Sequence, residues 1–232
     1  MSGMTEKKVT GVLQSDWSAV IQDYPIASGW THDGAVLVVC DSAGGLYVFD
    51  SQQGELLWSE PCAHEGGALA MSMHPVEAVF ATAGQDGKIL IWDLTGAHSR
   101  CCIEVGSGWV ENVLWSPDGA RLASSHGREI QIFGVDGAEQ WRSDEHLSTV
   151  SALGWLNSNE LVSTCYGRVT IFDSDTGEPN QRFEWKGSLV SLALSPDGDV
   201  IACGSQDNSV HFWRRSTGED SMMTGYLSLI HI

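Results

Sequence analysis

The sequence predicts an all-β fold of repeated four-stranded antiparallel sheets, and three observations support this prediction. First, five short alternating segments each close on an aromatic residue, with spacings of 43, 41, 39 and 41 residues. Second, a landmark at the end of an earlier apolar segment recurs in step, with spacings of 43, 42, 40 and 39 residues. Third, each copy of roughly forty residues holds four short strand-like segments and no helical pattern. The first landmark comprises Phe49, Trp92, Phe133, Phe172 and Trp213, and the second comprises Trp30, Met73, Trp115, Trp155 and Leu194.

The strands are expected in the same order in every copy, as the third copy illustrates. An apolar segment, VENVLW, comes first and is followed by the turn SPDG at 116–119. Proline followed by Asp-Gly favours a tight reversal, so RLASS is expected to return as the second strand. EIQIFG forms the third strand, and the more polar AEQWRS forms the fourth. The turn SPDG recurs at 195–198 because each sheet needs the same hairpin.

One copy resembles a known repeat family. Residues 64–96, HEGGALAMSMHPVEAVFATAGQDGKILIWDLTG, resemble a WD40 repeat, and the resemblance extends over about residues 16–220. It implies a β-propeller of four-stranded antiparallel blades, in which each repeat supplies three inner strands of one blade and the outer strand of the blade before. The usual ring has seven blades and about five are visible, so the resemblance implies a C-terminally truncated member.

The resemblance also implies a buried structural network. His64, Thr82, Asp86 and Trp92 occupy the places of the family's hydrogen-bond tetrad, and these groups can satisfy one another when buried. The other copies depart from that pattern. The fourth has His146 but Phe172 in place of tryptophan; the fifth has Asp207 and Trp213 but Trp185 and Cys203 at the histidine and hydroxyl places; the first and third have no tetrad. We therefore expect the blades to be held mainly by apolar packing, including the in-register Trp30, Trp115 and Trp155.

The charge and the cysteines limit the classes of partner and compartment. Acidic residues outnumber basic residues by 30 to 12, which gives a net charge of −18. This balance argues against binding to nucleic acid or to an anionic membrane, and leaves either a solvated surface or a patch for a basic protein partner. None of the six cysteines forms a CxxC pair, and the first fourteen residues lack the apolar core of a signal peptide. We therefore expect a cytoplasmic protein.

No catalytic signature is present, so a non-enzymatic role is expected. The chain contains no GxxxxGK[ST], GxGxxG, GxSxG or HExxH motif, and no cofactor is expected. The alternative is a propeller enzyme or a metal-linked accessory protein. His98, Cys101 and Cys102 would be the metal ligands in that case, although only three ligands are available locally.

The favoured interpretation is a scaffold that binds a protein or peptide. In a WD40-like propeller, the loops before the first strands and between the second and third strands share one face. Aromatic and arginine side chains anchor many protein interfaces. The candidate residues in those loops are Tyr24, Trp109, His126, Tyr166 and Arg168.

Three segments are expected along the chain. Residues 1–15 form an N-terminal segment that includes a candidate orphan outer strand, and residues 16–226 form the five-repeat propeller. Residues 227–232, LSLIHI, can be encoded by CTG TCT CTT ATA CAC ATC, a transposase adapter used in preparing DNA sequencing libraries. We therefore expect this tail to be non-native, and the gap between the first and fifth blades to be open.

Overall fold

The computed structural model describes residues 17–225. In that part of the chain, all regular secondary structure is β-strand. Three antiparallel four-stranded sheets follow one another. The first contains β1 (Pro25–Trp30), β2 (Val36–Asp41), β3 (Leu46–Asp50) and β4 (Leu56–Glu60). The second contains β5 (Ala68–Met73), β6 (Val79–Gly84), β7 (Lys88–Asp93) and β8 (Ser99–Glu104). The third contains β9 (Val110–Trp115), β10 (Arg121–His126), β11 (Glu129–Gly134) and β12 (Glu139–Arg142).

The last two repeats form one continuous six-stranded sheet. It contains β13 (Ala152–Asn157), β14 (Glu160–Asp173), β15 (Pro179–Leu194), β16 (Val200–Ser205), β17 (Val210–Arg214) and β18 (Asp220–Met223). Each of the two long strands, β14 and β15, spans two of the strand positions of the repeat pattern. The first half of β14 pairs with β13 and its second half with β15, while the second half of β15 pairs with β16. We therefore describe a fourth blade that ends within β15 and a fifth that begins there.

The five blades are arranged around an axis on the side of their first strands. β1 contacts β5, β5 contacts β9, β9 contacts β13, and β13 contacts β15. The fourth strand of each blade lies at the outside. The architecture is therefore a partial β-propeller of about five blades, as the sequence predicts.

The repeated hairpin between the first and second strands has the same geometry in two blades. In the third blade, the Gly119 amide donates to the Ser116 carbonyl at 2.8 Å, and Gly119 has a φ of 74°. In the fifth, the Gly198 amide donates to the Ser195 carbonyl at 2.8 Å, with a φ of 69°. The left-handed backbone explains why glycine closes each SPDG turn.

Apolar side chains fill the space between successive blades. The first and second blades bury Val38, Cys40, Phe80 and Trp92 together, for example. Comparable clusters join the second blade to the third, the third to the fourth and the fourth to the fifth. Burial of this kind stabilises by roughly 25 cal/mol per Å² of apolar surface, so this packing holds successive blades together.

A tryptophan on the outer strand anchors several blades to the next one, and no pattern within a single repeat predicts this contact. Trp58 of the first blade donates its indole N–H to the Leu94 carbonyl of the second at 2.9 Å. Trp141 of the third blade donates to the Ser174 carbonyl of the fourth at 2.7 Å. Trp17 makes the corresponding bond to the Ser51 carbonyl of the first blade at 2.9 Å.

The predicted core tryptophans differ in their exposure. Trp115 is buried and Trp155 is partly buried, but Trp30 is 51% exposed. The expectation of core packing is therefore wrong for Trp30. Trp155 donates to the Leu114 carbonyl of the preceding blade, and among residues 17–225 no blade precedes the first. The expected segments 1–15 and 227–232 lie outside the described residues.

Candidate interaction surface

One face of the propeller, here called the upper face, carries the loops before the first strands and the turns between the second and third strands. In the second blade, His64 from such a loop contacts Asp86 from such a turn. In the third, the Gly108 amide donates to His126 Nε2 at 3.2 Å. In the fourth, the Tyr166 amide donates to the Ser148 hydroxyl at 2.9 Å. The two sets of loops therefore lie together, as the family resemblance implies.

The second blade brings all four tetrad side chains together beneath the upper face. Trp92 Nε1 donates to the Thr82 hydroxyl at 2.9 Å, and Thr82 Oγ1 lies 2.8 Å from His64 Nε2. His64 Nδ1 lies 3.0 Å from Asp86 Oδ1. His64 and Thr82 are fully buried. The atoms form a continuous chain from the third strand to the loop before the first.

The direction of these bonds follows from the protonation state of His64. Burial lowers the pKa of this imidazole below 6.5, although Asp86 acts in the opposite direction. A neutral ring has one donor and one acceptor nitrogen. Because Asp86 can only accept, Nδ1 donates to Asp86 and Nε2 accepts the Thr82 hydroxyl proton. The contact with Asp86 is thus a charge-assisted hydrogen bond at neutral pH.

The fourth blade has a shorter version of this network. His146 Nε2 lies 3.0 Å from the Ser163 hydroxyl, and His146 Nδ1 lies 2.9 Å from the Arg128 carbonyl. Phe172 replaces the tryptophan, so its ring contacts His146 without donating a hydrogen bond. Thr82 accepts a hydrogen bond from the Trp92 indole, whereas Ser163 has no such aromatic donor beside it.

The fifth blade uses different residues at the same place. The Trp185 ring lies against the His211 ring, with centroids 3.5 Å apart, and His211 Nε2 lies 3.0 Å from the Ser209 hydroxyl. Ser209 in turn donates to Asp207. Trp185 Nε1 is buried and has no hydrogen-bond partner within residues 17–225. This His211 arrangement was missed because its histidine comes from the third strand rather than from the loop.

Three of the predicted rim residues present large aromatic surfaces to solvent. Tyr24 is 79% exposed, and Trp109 and Tyr166 are each 54% exposed. They belong to the first, third and fourth blades. Each comes from a loop or turn of the upper face, so they can contact a partner without any change of fold.

The other two predicted rim residues are only partly exposed. His126 is half-buried, and its Nε2 accepts the hydrogen bond from the Gly108 amide. Arg168 has a side chain that is 28% exposed, lies 3.5 Å from Glu184, and points into a groove between the third and fourth blades. The structure therefore separates Arg168 from the outward-facing aromatic residues.

Two further features of the upper face were not apparent from the sequence. A depression of about 400 Å³ lies beside Trp109 and is lined by Glu65, Asp86 and Lys88 among others. Leu147, in the loop before β13, is 59% exposed beside the turn that carries Tyr166. A single leucine in a polar loop gives no periodic signal, so only the folded structure reveals its position.

The alternative metal ligands are not brought together. Cys101 and Cys102 are adjacent on β8, so their side chains point to opposite faces of the strand. The Cys101 thiol lies 3.8 Å from the Asp136 carbonyl of the next blade. Within residues 17–225 no group of three histidine, cysteine or acidic residues has the geometry to hold a metal ion. His98, Cys101 and Cys102 therefore do not form the site considered as an alternative.

The region 17–225 contains no helix with the length and apolarity needed to cross a membrane. All six cysteines are unpaired, and Cys40, Cys165 and Cys203 are buried.

Comparison with solved structures defines the class of fold. A chain of the crystal structure of the mitotic checkpoint complex superposes with a TM-score of 0.76 at 22% identity, covering 87% of this chain and 64% of that one. The β-propeller domain of Cps50 (Swd1) from Myceliophteria thermophila superposes with a TM-score of 0.72 at 15% identity, covering 86% and 68%. The protein is a β-propeller.

The repeat model described as "WD domain, G-beta repeat" matches residues 56–93 and 177–214. The chain therefore contains segments that match the WD40 repeat. It is 22% identical over 187 residues to the serine-threonine kinase receptor-associated protein of Mus musculus, covering 79% of this chain and 53% of that protein. It is 28% identical over 151 residues to cell division cycle 20.1, cofactor of APC complex, of Arabidopsis thaliana, covering 61% and 33%. The chain thus spans about half or less of the length of these relatives.

Proposed function

We propose that this chain is a non-enzymatic platform that binds a protein or peptide through its upper face. The observation that carries the proposal is the exposure of Tyr24, Trp109 and Tyr166 on loops fixed by a rigid scaffold. Large aromatic side chains supply much of the binding energy in protein interfaces. Two relatives also bear names that describe them as associated with a receptor or as the cofactor of a complex.

The acidic charge favours a basic partner. Glu65 and Asp86 line the depression beside Trp109, and the whole chain carries a net charge of −18. Opposite charge accelerates encounter and disfavours wrong partners. The same charge disfavours nucleic acid and anionic membranes as partners. The unpaired cysteines support a reducing, cytoplasmic location.

The test compares the proteins captured by three forms of the chain. Trp109→Ala combined with Tyr166→Ala removes two anchors from the upper face. The matched control, Val76→Ser combined with Val135→Ser, alters two exposed apolar residues in turns on the opposite face, where exposures are 73% and 59%.

We expect mass spectrometry to identify proteins that bind the unmodified chain and the control but not the upper-face variant. Circular dichroism should show the same folded state for all three forms. Loss of the captured proteins from the control alone, with retention by the upper-face variant, would contradict the proposal.

A further inference from the structure

A polar groove of about 280 Å³ separates the third and fourth blades near their outer strands. One wall is the segment 142–147, which begins at the last residue of β12. The other wall consists of the second half of β14 and the first half of β15. Three of the chain's twelve lysine and arginine residues line this one groove: Arg142, Arg168 and Arg182.

The groove exists because the fourth blade departs from the pattern of the second. In the second blade, Leu90 on the third strand pairs with Cys102 on the fourth, and Leu90 packs in the core shared with the first blade. In the fourth blade, Thr170 and Arg182 form the corresponding pair. A polar pair thus replaces an apolar contact between blades, which leaves an opening lined by hydrogen-bond donors.

Two of the arginines have unused donors on the same face. Arg168 pairs across the strands with Glu184, and Thr170 pairs with Arg182, so Arg168 and Arg182 are diagonal neighbours roughly 7–8 Å apart at Cα. Arg168 has one ion pair, at 3.5 Å, with a Glu184 side chain that is 78% exposed. Arg168 Nε is buried and unpartnered, and Arg182 has no ion pair within residues 17–225.

Arg142 is already neutralised. Its guanidinium lies 3.2 Å from Glu129 and 3.0 Å from Glu139, so it adds little attraction for a ligand. The arginines available to a ligand are therefore Arg168 and Arg182.

The carboxylates around the groove restrict the charge of a ligand. Glu145 is paired with Arg128 at 3.2 Å. Glu178 adjoins Pro179, which pairs with Phe172. Phe172 lies four strand residues, or roughly 13 Å, from Arg168, so Glu178 lies at the far end of this strand pair from Arg168. Asp144, however, lies on the facing wall. Repulsion from Asp144 would oppose a doubly charged phosphate more than a singly charged carboxylate.

Apolar surface adjoins the arginines. Leu147 lines the groove and is 59% exposed. Tyr166, two residues before Arg168, is 54% exposed. The combination of one apolar patch and two arginines fits a short segment with an apolar side chain near an acidic one.

We propose that the groove between the third and fourth blades binds an acidic peptide segment. An aspartate or glutamate carboxylate lies between Arg168 and Arg182, and a neighbouring apolar side chain contacts Leu147. This site goes beyond the function proposed above, because it requires no contact with Trp109 and takes the opposite charge from the basic partner of the upper face.

The probe is the peptide acetyl-Gly-Leu-Ser-Glu-Gly-amide, whose blocked ends leave the glutamate as its only charge. The matched probe has glutamine in place of glutamate. Both are titrated into the isotopically labelled full chain while the Nε–Hε resonances of the arginines are followed by NMR. The glutamate peptide should shift the resonances of Arg168 and Arg182, and the glutamine peptide should bind at least tenfold more weakly.

Three variants locate the binding. Arg182→Gln should weaken binding of the glutamate peptide at least tenfold. The control, Arg100→Gln, alters an arginine of 53% exposure in another blade and should leave the affinity for the peptide unchanged. Trp109→Ala should also leave it unchanged, so the groove can fail independently of the upper face. Equal binding of the two peptides, unaltered affinity in Arg182→Gln, or an equal loss in Arg100→Gln or Trp109→Ala would overturn the proposal.

Discussion

Replacing Thr82 with valine tests the buried network of the second blade with little change of shape. The substitution removes the one hydroxyl that joins Trp92 Nε1, at 2.9 Å, to His64 Nε2, at 2.8 Å. Because Thr82 is fully buried, water cannot replace it. Two polar groups lose their partners, and each such loss costs about 1–3 kcal/mol. Allowing about 0.8 kcal/mol for the added apolar carbon, we expect the free energy of unfolding to fall by about 1–5 kcal/mol.

The fourth blade offers a natural control for this prediction. Ser163 contacts His146 Nε2 at 3.0 Å, but Phe172 there has no N–H to donate. Ser163→Ala therefore leaves a single group unpaired and should cost about 1–2 kcal/mol. If the number of unpaired groups determines the cost, Thr82→Val made in a Trp92→Phe background should likewise cost about 1–2 kcal/mol.

Urea unfolding followed by circular dichroism measures all of these variants. In a double-mutant cycle, which compares two single variants with the double variant, contacting residues of one network commonly show coupling energies of about 0.5–3 kcal/mol. We expect Thr82→Val and Trp92→Phe to couple within that range. A cost for Thr82→Val no larger than that for Ser163→Ala, or strict additivity with Trp92→Phe, would refute the reasoning.

Two other predictions concern protonation and reactivity. Burial keeps the pKa of His64 and His146 below their ordinary value of 6.5, so the unfolded chain binds protons first as the pH falls. Their contribution to stability is complete above about pH 6.5 and is lost as the pH falls below that value. Urea unfolding should therefore give a lower free energy of unfolding at pH 5.5 than at pH 7.5, and His146→Asn should reduce this difference. Burial raises the pKa of the Cys203 thiol to about 12, whereas Cys62 and Cys102 are exposed. Iodoacetamide at pH 8 should therefore modify Cys62 and Cys102 in the native protein and leave Cys203 unmodified, as peptide mass mapping would show; prompt modification of Cys203 would contradict its burial.

The repeat architecture could be predicted because its signals are local. Alternating segments, the SPDG turns and a constant aromatic spacing lie within windows of about forty residues, and each determines a hairpin without reference to the rest of the chain. The grouping of His64, Thr82, Asp86 and Trp92 was foreseen for the same reason, since one repeat contains all four residues.

Contacts between repeats could not be predicted in this way. The carbonyl that accepts from Trp58 belongs to Leu94 in the next blade, and the acceptor for Trp141 belongs to Ser174. Trp30 is exposed although it occupies the same repeat position as the buried Trp115. The burial of a repeat position depends on the neighbouring blade, which no pattern within one copy describes.

The position of Arg168 illustrates the same limit within the candidate surface. Its turn places it in the predicted set of upper-face residues, yet its side chain points into the groove. That direction is set by the alternation of β14 and by the segment 142–147 of the preceding blade. Tyr166, two residues earlier, is 54% exposed, and the register of β14 against β15 shifts between these two residues.

Site-specific photocrosslinking tests the proposed platform most directly. A benzophenone amino acid is placed at Trp109 on the upper face or, in a matched form, at Val76 on the opposite face, and the chain is irradiated in cells. The account predicts that a discrete protein adduct forms from position 109 and not from position 76. Adducts from position 76 alone, with none from position 109, would contradict the claim that the exposed aromatic loops of the upper face bind the partner.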